Sequence, residues 1–189
     1  MIRYYLFLAS SPIKRDSFEH ALSSVSEDKL SFTYLNDNEG FFKADDKLAS
    51  TLQQLLFNVH DMLNINFSII VAHKRGEFEE KMLVEALTYY PNQCFYLSDI
   101  LLKEVAFGNY SSIPLLAAEF KNIDPGLLLT AGTFLRCGLN GLLTAKTLYV
   151  HRNTFNYRLN NFIEQTELDI RDYHNALLLE LYFQFTNKG

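Results

Sequence analysis

The sequence predicts an α+β chain in two parts, a mixed sheet domain followed by an all-α domain. Three observations carry this. Strand-like apolar runs crowd the first hundred or so residues and then stop. Beyond about residue 125 the apolar spacing is helical throughout. Between them, Asn109 to Gly126 is rich in turn formers, with Pro114, Asn122, Asp124 and Pro125.

Taken in order, IRYYLFLA (2–9) is apolar on both faces and predicts a central strand. Ser10-Ser11-Pro12 opens a helix in which Phe18, Ala21, Leu22 and Val25 have helical spacing. LSFTYLN (30–36) alternates, as a half-buried strand does. Asn36 to Gly40 is a turn, and GFFKA (40–44) returns as the hairpin partner. Leu48, Leu52, Leu55, Leu56, Val59 and Leu63 line one side of a long helix. FSIIVAH (67–73) is a buried strand. Leu83, Ala86, Leu87 and Tyr90 mark a helix stopped by Pro91. QCFYLS (93–98) reads as a strand and ILLKEVAF (100–107) as a helix. The first six elements, β-α-β-β-α-β, match a split-βαβ, ferredoxin-like arrangement with its helices on one face of the sheet. Helices are then expected around 115–120 and over 127–136, 142–149, 152–165 and 173–186. The domains follow: an α+β domain over 1–110, a connecting segment over 111–126, and a helical domain over 127–189.

Composition removes several function classes. At 189 residues, 48% hydrophobic and 21% charged, the chain is an ordinary globular one. No run of about 18 apolar residues exists, so no membrane span is expected. YYLFLA is short for a signal segment, and the two cysteines, Cys94 and Cys137, have no partner motif. A reduced, cytoplasmic protein is the simple reading. No GxSxG, phosphate-cradling glycine loop or paired carboxylates occur, and His20, His60-Asp61 and His73 fit no zinc spacing. No catalytic, metal or cofactor site is therefore assigned, and an enzyme is not expected. The net charge of −5 is uneven: residues 1–124 hold 11 Lys+Arg against 17 Asp+Glu, and residues 125–189 hold 6 against 5.

The informative stretch is GLLTAKTLYVHRNTFNYRLNNFI (141–163). It reads as two helices with a tight bend. Leu142, Leu143, Ala145 and Leu148 form the apolar side of the first, and Val150 lies in the bend. Phe155, Leu159, Phe162 and Ile163 form one face of the second. Arg152, Asn153, Asn156, Tyr157 and Asn160 occupy the opposite face, with Thr154 and Arg158 to one side. Arginine pairs with guanine and asparagine with adenine, while Thr, Tyr and Arg reach phosphate. A helix-turn-helix that lays its second helix in the major groove of DNA needs this arrangement. Arg152 and Asn153, at the exposed start of the helix, are the expected base readers, the alternative being a solvated helix end. His151 touches DNA or caps the helix; Thr154 bonds a phosphate or caps the first turn. Arg158 reaches phosphate or pairs with Glu164 or Asp169. Lys146 is a phosphate contact or a surface lysine, and Asn156 and Tyr157 complete the DNA-facing set.

ALLLELYFQF (176–185) is apolar nearly all round, and the surplus among Leu179, Tyr182 and Phe183 asks for a further surface, in a dimer or between domains, unless the helix is enclosed in its own domain. A near-neutral reader also gains from a second copy.

The residues Ala145, Leu148, Val150-His151-Arg152-Asn153-Thr154, Tyr157-Arg158-Leu159, Thr166, Leu168-Asp169 and Asp172 carry a resemblance. Over roughly sixty residues the chain resembles the C-terminal DNA-binding domain of PucR/CdaR-type bacterial regulators, the purine-catabolism and sugar-diacid activators. Phe162 stands near a usual aliphatic, and Glu167 stands where the pattern has glycine. The resemblance implies a bacterial transcriptional regulator, double-stranded DNA as partner, and room for a small-molecule effector. In that family a degenerate GGDEF-like, cyclase-fold domain often precedes the reader, and residues 1–98 are similar to it in topology. Here the hairpin reads NDNEG (36–40) and strand 2–9 has no acid, so two-metal chemistry lacks its carboxylates. The reading is a sequence-specific, homodimeric DNA-binding regulator. The alternative is a ligand- or protein-binding module whose helix-turn-helix no longer binds DNA.

Overall fold

The computed structural model describes residues 2–26 and 29–186; the expected domain ends at residues 1 and 187–189 lie outside these. The chain divides into two compact units between Ile100 and Leu101.

In the first unit, β1 (Ile2–Ala9), α1 (Arg15–Ser23), β2 (Phe32–Tyr34), β3 (Glu39–Asp45), α2 (Lys47–Leu63), β4 (Phe67–Ala72), α3 (Glu77–Tyr89) and β5 (Cys94–Tyr96) follow the expected order. The sheet runs β2-β3-β1-β4-β5. β1 pairs antiparallel with both β3 and β4, β2 pairs antiparallel with β3, and β5 is parallel to β4. Strands β1 to β4 therefore have the order and directions of a split-βαβ, ferredoxin-like sheet, and α3 adds a parallel fifth strand.

Strand parity explains the two-sided burial of β1 and β4. Tyr5, Phe7 and Ala9 share one core with Phe42 of β3, Phe67, Ile69 and Val71 of β4, Phe18 of α1, and Leu52 and Leu56 of α2. Leu6 and Ile70, of opposite parity, are also buried. α3 packs on β4 and β1 and buries Phe78, Met82 and Ala86 at four-residue spacing. The sheet thus carries helices on both faces, not on one as expected: the parallel crossover into β5 needs a helix, and β1 and β4 have an apolar second face for it to cover.

Leu97 and Ser98 are not strand either. They begin α4 (Leu97–Ala106), where Asp99 Oδ2 accepts the Tyr96 N–H at 3.2 Å. The division of the chain falls inside this helix.

The second unit is helical: α5 (Ile113–Phe120), α6 (Pro125–Arg136), α7 (Gly141–Thr147), α8 (Arg152–Thr166) and α9 (Tyr173–Thr186). Asp124 starts α6 by accepting the Gly126 and Leu127 N–H groups at 2.8 and 3.1 Å, ahead of Pro125 in the first turn. α5 lies in the segment expected to connect the domains, and it packs on α9 through Phe120 and Tyr182, whose rings are 4.5 Å apart. α9 also packs on α6, where a Cβ on Gly132 would come within 2.9 Å of Phe183 Cζ. The apolar surplus of α9 is met largely within its own unit: Leu179 is buried, and Tyr182 and Phe183 are half-buried.

Candidate nucleic-acid interface

α7 is only seven residues long and docks through a stripe that hydropathy does not reveal. Gly141, Thr144, Ala145 and Leu148 fall at i, i+3, i+4 and i+7 and turn inward. Thr144 is buried because its hydroxyl donates to Asn140 O at 2.7 Å, so no polar group is stranded. Gly141 lets Phe155 approach: a Cβ there would lie 2.7 Å from Phe155 Cε1. Leu142 and Leu143, expected on the apolar side, are instead 72% and 48% exposed. The Asn140 side chain caps the helix by accepting the Leu143 N–H at 3.0 Å.

The bend is a hydrogen-bonded cap. Val150 N–H donates to Ala145 O at 3.0 Å and Tyr149 N–H to Lys146 O at 3.1 Å, the bond pair of a Schellman motif. This requires Tyr149 to be left-handed, with φ of 54°. Such a conformation costs a side-chain-bearing residue roughly 1–2 kcal/mol.

α8 buries Phe155, Leu159 and Phe162, as its periodicity predicts; Ile163, expected on the same face, is half-buried, and Thr166, not expected there, is buried. Phe155 lies 5.4 Å from Phe134 of α6, ring to ring. His151 is the N-cap: its Nδ1 accepts the Asn153 N–H at 3.2 Å. An acceptor Nδ1 leaves the proton of the neutral imidazole on Nε2, so that nitrogen is a donor. At the other end Glu167 takes the left-handed cap at φ of 57°, doing with a side chain what the family pattern does with glycine.

The outer face is open. Lys146, His151, Arg152, Asn153, Thr154, Asn156, Tyr157 and Asn160 are exposed, and Arg158 is half-buried. Among the described residues, the side chains of Arg152, Asn153, Thr154, Asn156, Tyr157 and Arg158 make no hydrogen bond or ion pair with the protein. Asp169, one of the two acids expected as alternative partners for Arg158, accepts from Arg171 at 2.7 and 2.6 Å. That bond holds the Arg171 guanidinium above its ordinary value. His151, Arg152, Asn153, Thr154, Asn156 and Tyr157 thus lie exposed over the first turns of α8, with Lys146 on α7 and a half-buried Arg158 beside them. Tyr149, in the bend and 96% exposed, was not in the expected contact set; its hydropathy and position gave no periodic signal.

The histidines singled out elsewhere have other surroundings. His60 Nδ1 lies 2.9 Å from Ile65 O. Burial, aided by Lys74 and Arg3, pushes His73 down to about 3. Burial raises the Cys94 thiol above its ordinary range. Among the described residues, no three His, Cys, Asp or Glu side chains are grouped to hold a metal, and no helix is long and apolar enough to cross a membrane.

Residues 127–185 match the PucR C-terminal helix-turn-helix domain. The chain resembles PucR/CdaR-type regulators in this part. It is 32% identical over 100 residues to the carbohydrate diacid regulator of Escherichia coli, covering 49% of this chain and 26% of that one. It is 25% identical over 195 residues to the uncharacterized protein YxkF of Bacillus subtilis, covering 94% of this chain and 65% of the other. The chain thus spans less than two thirds of either relative. A crystal structure of a regulator of polyketide synthase expression from Bifidobacterium adolescentis is similar over 97% of this chain and 78% of that one, with 19% identity and a TM-score of 0.49.

Proposed function

We propose that the chain, whose second unit carries a PucR-type helix-turn-helix, is a sequence-specific DNA-binding transcriptional regulator, acting in the cytoplasm and not as an enzyme. α8 enters the major groove of double-stranded DNA. The observation that carries this is the outer face of α8: Arg152, Asn153, Asn156 and Tyr157 are exposed and unpaired above a buried apolar stripe. Arg152 and Asn153, in the first turn, read base edges. Lys146, Thr154, Tyr157 and Arg158 reach phosphates. His151 caps α8 and offers Nε2 as a donor.

A homodimer fits the charge. Residues 125–189 hold 6 Lys+Arg against 5 Asp+Glu, so one copy neutralises few phosphates and two copies double that number. The first unit has no acid on β1, where two-metal chemistry would place one, so its proposed role is non-catalytic, with a small-molecule effector as a further proposed partner of the protein. A second reading, a protein-binding module, is favoured by the exposed Leu142 and Leu143 on α7 and the acidic residues 1–124.

Selection from genomic DNA fragments, followed by gel shifts, tests the proposal. Enrichment of one sequence class supports it, and Arg152→Ala and Asn153→Ala are expected to weaken binding to that sequence by ~1–3 kcal/mol each. Unchanged affinity and specificity in both variants would falsify the assignment of α8. Failure to hold any duplex at low salt, with tight binding to a protein partner, selects the second reading.

A further inference from the structure

We infer that Tyr149 anchors the protein to DNA, its hydroxyl donating to a phosphate oxygen at the lip of the groove that α8 enters. This rests on the DNA-binding reading above. Two successive helices of the unit end in the same motif. At the end of α6, Leu139 N–H donates to Phe134 O and Gly138 N–H to Leu135 O, both at 2.9 Å, and the left-handed residue is a glycine at φ of 63°. At the end of α7 the left-handed residue is Tyr149.

Glycine holds this conformation without strain, and a tyrosine does not. A strained side chain is retained in a fold when it packs something, but this one is 96% exposed. Among the described residues its hydroxyl has no hydrogen-bond partner in the protein. The ring is therefore free to serve something outside the chain's own fold. Leu139 and Glu167 are also left-handed, but Leu139 is only 38% exposed, and Glu167 lies at the far end of the 15-residue α8, about 22 Å from its start.

Position supplies the chemistry. Tyr149 precedes Arg152 by three residues, no more than about 11 Å along the chain. When the first turn of a recognition helix touches base edges, the chain just before it passes the groove wall, where the phosphates are. Tyrosine hydroxyls are among the groups that bind them, and such contacts set register without reading sequence. A neutral donor also releases no counterion, which separates it from a lysine.

The test uses the full chain on a selected operator and on an unrelated duplex across a salt titration. Tyr149→Phe should bind both duplexes about tenfold more weakly with an unchanged salt slope. Tyr149→Gly should bind at least as weakly while its melting temperature rises, because glycine relieves the strained cap. Wild-type affinity in Tyr149→Gly, with Arg152→Ala losing the operator, overturns this inference and leaves the DNA reading standing. A lowered melting temperature in Tyr149→Gly overturns it too, since the ring would then belong to the fold. No duplex binding by the wild-type chain removes the DNA reading and this inference with it.

Discussion

The first unit and the helix-turn-helix treat their polar side chains in opposite ways. At the end of the sheet, Arg3 is buried with its Nε 3.3 Å from Asp46 Oδ1, and the Tyr96 hydroxyl donates to the same carboxylate oxygen at 3.2 Å. The Tyr5 hydroxyl donates to Asp45 O at 2.8 Å. On the outer face of α8, Arg152, Asn153, Asn156 and Tyr157 are exposed and, among the described residues, their side chains make no such bonds. Burial makes an unpaired charge expensive, so the fold itself dictates the partners of Arg3. Exposure removes that cost, so the residues on α8 answer to whatever binds there. The contrast separates polar residues kept for folding from polar residues kept for recognition.

The largest effect is expected from removing Arg3 at the end of the sheet. Arg3→Ala removes the buried cation from Asp46, which is partly exposed and keeps its bond from Tyr96, and should cost ~1.5–3 kcal/mol in chemical denaturation. A loss no larger than that of a surface substitution would mean the pair does not hold the sheet end. Acid should act on the same region through His73. Above about 6.5 neither the folded nor the unfolded chain protonates this imidazole; below it the unfolded chain takes a proton that the folded chain, held to about 3, refuses. Stability should therefore fall as pH drops from about 6.5 toward 3, by up to roughly 3 kcal/mol at pH 4. His73→Gln should flatten that part of the profile, and an unchanged profile would assign the pH dependence to other groups.

On α8, stability and binding should respond separately to substitution. Arg152→Ala should leave stability within about 0.5 kcal/mol while reducing operator discrimination by ~1–3 kcal/mol. Denaturation curves and gel shifts on one preparation check both, and a destabilised Arg152→Ala would show that the side chain belongs to the fold. The smallest effect is expected at Glu167. Gly fits its left-handed cap, so Glu167→Gly should raise stability by roughly 1 kcal/mol with no change in DNA affinity. A drop in stability would mean that the carboxylate contributes to the cap.

Long elements were readable from residue spacing because burial selects residue type directly. FSIIVA needed two apolar faces and had them; Phe155, Leu159 and Phe162 needed one side of a helix and had it. The short elements were not. α7 turns Thr144 and Gly141 inward and leaves Leu142 and Leu143 outside. A seven-residue helix is oriented by its caps and its neighbours, and a hydroxyl bonded to its own backbone is as easily buried as a methyl. Leu97 and Ser98 look like a strand continuation, but an aspartate cap ends β5 after Tyr96.

The sequence by itself determined the two-part α+β plan, the ferredoxin-like strand order and the polar face of α8. These rest on periodicity and short-range propensity, which any stretch of chain carries within itself. Only the tertiary structure decided that α3 covers the second face of the sheet and that α9 spends its apolar surface inside its own unit. These two outcomes depend on which groups meet across space, and residue spacing contains no such distances. The bond of Asp169 to Arg171, two residues on, and the left-handed, exposed tyrosine before α8 are local, but spacing does not choose among the local bonds a chain can make.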